Sequence, residues 1–278
     1  MNLIIQATQA IAAGHLAHLT RLAQGSRCSA MHENACRISD AQMHPDIAGY
    51  CLEHQLDFGF VPQGKTLADF GLVVMDMDST LITIECIDEI ADMQGLKPQV
   101  AEITEAAMRG ELDFSESLRR RVALLKGLDD SALQRVYDER LQLTGGAEIM
   151  LAALKKHGIK TLLVSGGFVY FTDRLKQRLG LDFAYANSLE IIDGKLTGKV
   201  LGGIVDAQAK ADLLTKTRDA LQLKSEQVIA IGDGANDLKM LAQAGYGIAF
   251  HAKPVVRAQA RYALNFVGLD GVLNLFAD

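Results

Sequence analysis

From residue 70 onward, short apolar runs alternate with amphipathic stretches, and three of the runs end in closely related polar residues. Val73-Val74-Met75 runs into Asp76-Met77-Asp78. Leu162-Leu163-Val164 runs into Ser165-Gly166-Gly167, and Ile229-Ala230-Ile231 into Gly232-Asp233-Gly234. Short runs of this kind, without polar alternation, fit strands covered on both faces, as in a parallel sheet. The stretches between them, such as 145–158 closed by Gly158 and 206–223, have helical spacing. Strand–helix alternation implies an α/β fold with a doubly wound, Rossmann-like parallel sheet. That constraint brings the three polar ends to one sheet edge, where such folds bind ligands.

Two sections depart from the alternation. Residues 84–144 carry only helical signals, over about 86–94, 98–109, 113–126 and 129–141, and follow directly on the first strand. An all-helical insertion there reads as a cap over the carboxyl ends of the strands. Residues 1–68 read as a small α+β appendage. Leu3-Ile4-Ile5 suggests a strand, 8–23 and 44–57 suggest helices, and 58–64 a short strand and turn. The expected division is therefore 1–68, a core of 69–84 and 145–278, and a cap of 85–144. Within the core, Asp193-Gly194 marks a hairpin turn.

At 278 residues with 49% apolar content, the chain has enough material for a full core. Its net charge of −6 argues against a nucleic-acid backbone or an anionic membrane surface as the main partner. The apolar start has no basic residue before Arg21, unlike a signal peptide, and polar residues interrupt any membrane-length span. Cys28, Cys36, Cys51 and Cys86 form no CxxC pair, so a cytoplasmic protein with reduced thiols is expected. Cys28, His32 and Cys36 match no common zinc spacing.

If the strand ends converge, Asp76, Asp78, Asp233 and Asp237 crowd one spot. Like charges held together out of water need a counter-ion. A hard divalent cation with oxygen ligands meets that need, and Mg2+ typically keeps waters and takes a substrate phosphate oxygen. Ser165 offers a hydroxyl, Gly166 and Gly167 let backbone N–H groups approach an anion at a helix start, and Lys210 supplies a compact positive charge.

These segments together, DMDST, SGGF, Lys210 and GDGANDLKML, resemble the four motifs of the haloacid dehalogenase superfamily of aspartate-nucleophile phosphohydrolases. The DxDST form with Glu85 and a helical cap is similar to the branch acting on O-phospho-L-serine, and the likeness covers residues 70–278. It implies that Asp76 is the nucleophile and Asp78 the general acid and then base. It implies a magnesium site made by Asp76, the Asp78 carbonyl and Asp233, with Asp237 in support. Ser165, the Gly166 amide, Lys210 and Asn236 would hold the phosphoryl group, and Met108 and Phe114 would add apolar walls. The expected reaction is hydrolysis of O-phospho-L-serine to serine and phosphate, the last step of serine biosynthesis.

The residues point to the same substrate class. In the cap stretch FSESLRRRVALLKGL, Arg121 shares the side of Leu118 and Leu125, so it projects inward and suits a carboxylate. Glu85 could accept an ammonium group, or it could pair with Arg121 across the cap hinge. Other readings are a different small phosphomonoester, such as phosphohomoserine or a sugar phosphate, and a phospho-accepting signalling module. Relatives of this family often carry amino-acid-sensing modules of the ACT type. Residues 1–68 are accordingly expected to be an ACT-like or divergent appendage and a candidate homodimer element.

Overall fold

The computed structural model describes residues 1–108 and 111–277. The core strands are β5 (Leu72–Met75), β6 (Lys160–Phe168), β7 (Phe183–Ile192), β8 (Lys195–Leu201), β9 (Val228–Gly232), β10 (Tyr246–Phe250) and β11 (Tyr262–Leu264). They lie in the order β11-β10-β9-β5-β6-β7-β8, all parallel except β8, which forms the Asp193-Gly194 hairpin with β7. The chain runs from β5 through β6 to β7 on one side, then returns to β9 on the other. The crevice between β5 and β9 is therefore the switch point of the sheet.

Burial explains the unbroken apolar runs. Val73 and Met75 face one core layer with Leu163, Ile229 and Ile231, while Leu72 and Val74 face the other with Leu162, Val164 and Ala230. Successive side chains point to opposite faces, so a strand with helices on both sides must be apolar throughout. The covering helices are α7 (Ala147–Lys156), α8 (Val169–Leu179), α9 (Ala207–Ala220), α10 (Leu238–Gln243), α11 (Pro254–Arg257) and α12 (Gly271–Leu275).

The cap contains α3 (Cys86–Asp92), α4 (Lys97–Met108), α5 (Phe114–Leu124) and α6 (Ser131–Glu139), as the helical signals implied. Its entry and exit linkers run side by side. Ile82 bridges Leu143, Thr83 N donates to Gln142 O at 3.0 Å, and Thr144 N donates to Leu81 O at 3.0 Å.

Residues 1–61 form β1 (Asn2–Gln6), α1 (Ala13–Leu22), β2 (Arg27–His32), β3 (Ala35–Ser39), α2 (Asp46–Glu53) and β4 (Asp57–Val61). The strand order β2-β3-β1-β4 is antiparallel throughout, a βαββαβ unit of ferredoxin-like type. Leu3, Ile5 and Ile38 pack among residues of the two helices, whereas Ile4 and Val61 enter the main core. β4 also pairs with β11 through Phe58 and Ala263, so one eleven-stranded sheet runs through both parts. The weak polar stretch 26–41 is the β2–β3 hairpin, and β11 is a strand with no sequence signal of its own. Among the described residues no helix is long and apolar enough to cross a membrane.

Candidate active site

β5 delivers Asp76 to the crevice with 5% of its surface exposed, and the backbone then makes a tight turn in which Ser79 adopts φ 54°. The turn reverses the chain so that Asp78 also faces the crevice. Asp78 Oδ1 accepts from Cys86 N at 2.9 Å, and its Oδ2 accepts from Ser165 Oγ at 3.2 Å. Burial raises the Asp78 carboxyl above its ordinary value despite these donors.

Lys210 enters from α9, fully buried, between two carboxylates. Its Nζ lies 2.8 Å from Asp76 Oδ1 and 2.7 Å from Asp237 Oδ1. Burial opposes the ammonium form, yet Asp237 and Asp76 hold it above its ordinary range. Asp237 Oδ2 accepts from Gly234 N at 3.0 Å, and Thr80, also buried, donates to Asp233 Oδ1 at 3.2 Å. Ligand oxygens of Asp76, Asp233 and Asp237 lie within 4.8 Å of one another. Burial, then the neighbouring Asp237, pushes Asp76 well above the usual carboxylate range and Asp233 up to about 6. One buried ammonium against three carboxylates leaves an excess of negative charge that a divalent cation fits, so this cluster could hold a metal.

The Gly-Gly pair differs from expectation. β6 continues through Gly166 and Gly167 to Phe168, and α8 starts only at Val169, so the pair is extended strand and not a helix start. Gly167 N donates to Ser165 Oγ at 2.8 Å, and Gly166 O accepts from Asn187 Nδ2 at 2.8 Å. The glycines are required by close approach: a Cβ on Gly167 would stand 2.7 Å from Asp78 Oδ2, and one on Gly166 2.7 Å from Phe114 Cζ. Phe114 of the cap thus rests against the core strand end.

A cavity of about 850 Å³ opens above these groups, lined by Asp76, Asp78, Asn236 and Gly166 from the core and by Glu85, Phe114 and Arg121 from the cap. Arg121 projects inward as its spacing implied, and its buried Nε has no hydrogen-bond partner among the described residues. Burial lowers its pKa, opposed first by Asp88 and then by Glu85. Glu85 is engaged with Ser79, whose hydroxyl donates to Oε1 at 2.7 Å, so the two cap residues are not simply paired with each other. Glu85 borders the open cleft, but enclosure by its walls and the charge of Asp78 push it up to about 8. The side chain of Met108 lies outside the described residues. Sequence reasoning missed Thr80, Cys86, Asp88 and Asn187. Only Thr80, inside the DMDST segment, had a signal that could have drawn attention to it.

Residues 70–245 match the family described as haloacid dehalogenase-like hydrolase, and residues 3–47 match a domain of unknown function, DUF4072. The chain is 53% identical over 214 residues to a phosphoserine phosphatase of Polaromonas sp., covering 75% of this chain and 91% of that one. A probable phosphoserine phosphatase from Vibrio cholerae, solved in unliganded form, superposes with TM-score 0.86 at 39% identity over 99% of this chain and 86% of that one. A HAD family hydrolase from Salmonella enterica subsp. enterica serovar Typhi superposes with TM-score 0.88 at 36% identity over 100% and 98%. With the strand-end aspartates, the buried lysine and the cap arranged as described, the chain belongs to the haloacid dehalogenase-like hydrolase family.

Proposed function

We propose that this enzyme is a phosphoserine phosphatase that hydrolyses O-phospho-L-serine to L-serine and phosphate. The observation that carries the reading is that an inward cation, Arg121, and a carboxylate, Glu85, both line the cavity that holds Asp76. A phosphate ester bearing both a carboxylate and an ammonium group complements that arrangement. The 53% identity to a phosphoserine phosphatase supports it.

In the first step an oxygen of Asp76 attacks phosphorus and the bond from phosphorus to the serine oxygen breaks, leaving an aspartyl-phosphate. Asp78, its carboxyl raised by burial, gives its proton to the departing oxygen. In the second step Asp78 takes a proton from water, whose oxygen attacks phosphorus and releases Asp76 and inorganic phosphate. Lys210, Ser165, the Gly166 amide and Asn236 hold the phosphoryl oxygens, and Phe114 walls the serine side. Asp76, the Asp78 carbonyl and Asp233 would hold Mg2+, with Asp237 fixing Lys210 behind them. When bound, the cation neutralises charge on the transferring phosphoryl group.

Phosphate release across O-phospho-L-serine, phosphohomoserine and sugar phosphates, with and without Mg2+, tests the reading. Preference for another ester, or stoichiometric phosphorylation without turnover, would overturn it. Arg121→Ala is expected to raise KM for O-phospho-L-serine by about tenfold or more, since a charge-assisted contact contributes about 1.5–3 kcal/mol. Turnover of p-nitrophenyl phosphate, which has no carboxylate, should change less than threefold. Steady-state kinetics on both esters checks this.

Chelation with EDTA should abolish turnover, and added Mg2+ should restore it. The cation needs Asp233 ionised, and that carboxyl is pushed up to about 6. Affinity should therefore fall as pH drops through about 6, by up to about tenfold per unit, as protons compete for the site. Titration calorimetry at pH 7.5 and 5.5 reads the difference.

A further inference from the structure

Asp57 begins β4 and is 1% exposed, yet among the described residues no cation pairs with it. Its carboxylate instead accepts four N–H donors from the loop that follows β11. Asn265 N at 2.6 Å and Asn265 Nδ2 at 3.2 Å reach Oδ1, while Phe266 N at 2.9 Å and Val267 N at 3.0 Å reach Oδ2. A carboxylate that accepts four N–H groups holds its donors tightly.

The loop held by Asp57 then touches the cap hinge. Leu269 N donates to Gly145 O at 2.8 Å, just beyond the exit linker paired with the entry linker at Ile82 and Leu143. The two backbones pack without room for a methyl group. A Cβ on Gly268 would stand 2.5 Å from Gly145 O, and one on Gly146, at φ +79°, 2.6 Å from Asp270 N. The same loop also supports the wall of the active-site cavity. Val267 O accepts from His251 Nε2 at 2.8 Å, and His251 opens the segment that places Val255 and Val256 in the lining.

We propose that Asp57 is a positioning residue for the cap: the βαββαβ unit braces the 265–270 loop, which anchors the exit linker about which the cap swings. A lid can close as a body only if the core side of its hinge is fixed. The brace acts on substrate binding because closure brings Arg121 and Glu85 onto the ester, and in that respect it rests on the proposed phosphoserine phosphatase activity.

Asp57→Asn keeps one acceptor oxygen and sets an NH2 group against two of the four donors. The full chain carrying it is expected to show amide hydrogen exchange over 142–146 at least tenfold faster than wild type. KM for O-phospho-L-serine should rise at least fivefold per folded active site, with p-nitrophenyl phosphate turnover little changed. A residue that merely fastens the unit to the core would lower the melting temperature and leave both readouts alone, and that result overturns the proposal. Gly268→Ala perturbs the loop–linker contact without touching Asp57 and decides the matter if Asp57→Asn does not fold. It should reproduce both changes, and unchanged exchange over 142–146 in this variant is equally fatal. Exchange reads the anchor whatever the substrate, so failure of wild type to hydrolyse O-phospho-L-serine counts against the proposed activity and not against the brace.

Discussion

Asp76→Asn is expected to leave less than one percent of wild-type turnover of O-phospho-L-serine while the protein stays folded. The amide has nearly the shape of the carboxylate but no nucleophilic oxygen, so the aspartyl-phosphate cannot form. A hundredfold loss is about 2.7 kcal/mol of transition-state stabilisation, a lower bound for removing a nucleophile. Stability should not fall with it. Burial and Asp237 raise the Asp76 carboxyl in the folded state, so the folded chain binds its proton more tightly than the unfolded chain. The charge therefore costs stability above the ordinary carboxylate pKa, and a neutral Asn removes that cost. At pH 7.5 the melting temperature of Asp76→Asn should equal or exceed that of wild type. Turnover above one percent would mean that another group attacks phosphorus.

Lys210→Met should damage both folding and chemistry. Its Nζ lies within 2.8 Å of Asp76 and 2.7 Å of Asp237, and methionine of similar length leaves both carboxylates buried without their counter-charge. Breaking a buried pair in this way costs about 3–5 kcal/mol. The loss of the cation proposed to hold the phosphoryl oxygens should also lower kcat by about 10²–10³, the range seen when one transition-state donor is removed. The pH dependence separates this from a packing defect. In wild type Lys210 is held above its ordinary value, so its contribution is complete below the unfolded lysine pKa and is lost only as pH rises through the folded one. In the variant the stranded carboxylates take up protons readily, so the stability deficit should shrink between pH 7.5 and 5.5. Urea denaturation at the two pH values measures it. A deficit below about 1 kcal/mol, or one that ignores pH, would show that Lys210 is not the counter-charge of the site.

The core was legible because its signal is short-ranged. β5, β6 and β9 are buried on both faces, which leaves continuous apolar runs, and each run ends in the residues that meet at the crevice. The cap was legible for the complementary reason, that its helices hide one face and leave Leu118, Arg121 and Leu125 on a common side. β11 was not legible. It has three residues, too few to display a period, and is a strand only because β10 and β4 flank it. The Gly166-Gly167 pair invited a helix start because glycine marks a turn more often than a strand. Here β6 continues through the glycines, at a place where Phe114 and Asp78 come too close for a side chain.

The first 61 residues show the limit most clearly. Their composition and weak periodicity suggested an appendage, and the local elements do make a compact βαββαβ unit. Nothing in those residues announces that Ile4 and Val61 enter the main core or that Phe58 pairs with Ala263. Asp57 looks like the polar end of a helix in sequence, and its four donors lie 208 to 210 positions away.

By itself the sequence determined the α/β alternation, the inserted helical cap and the identity of the residues that crowd the crevice, because periodicity and motif spacing are written within a few turns of chain. Tertiary structure alone decided which charges neutralise one another, as Lys210 does Asp76 and Asp237, and that the N-terminal sheet would continue the core sheet. Those outcomes depend on which polar groups are taken out of water together, and burial is a property of the assembled fold and not of any segment.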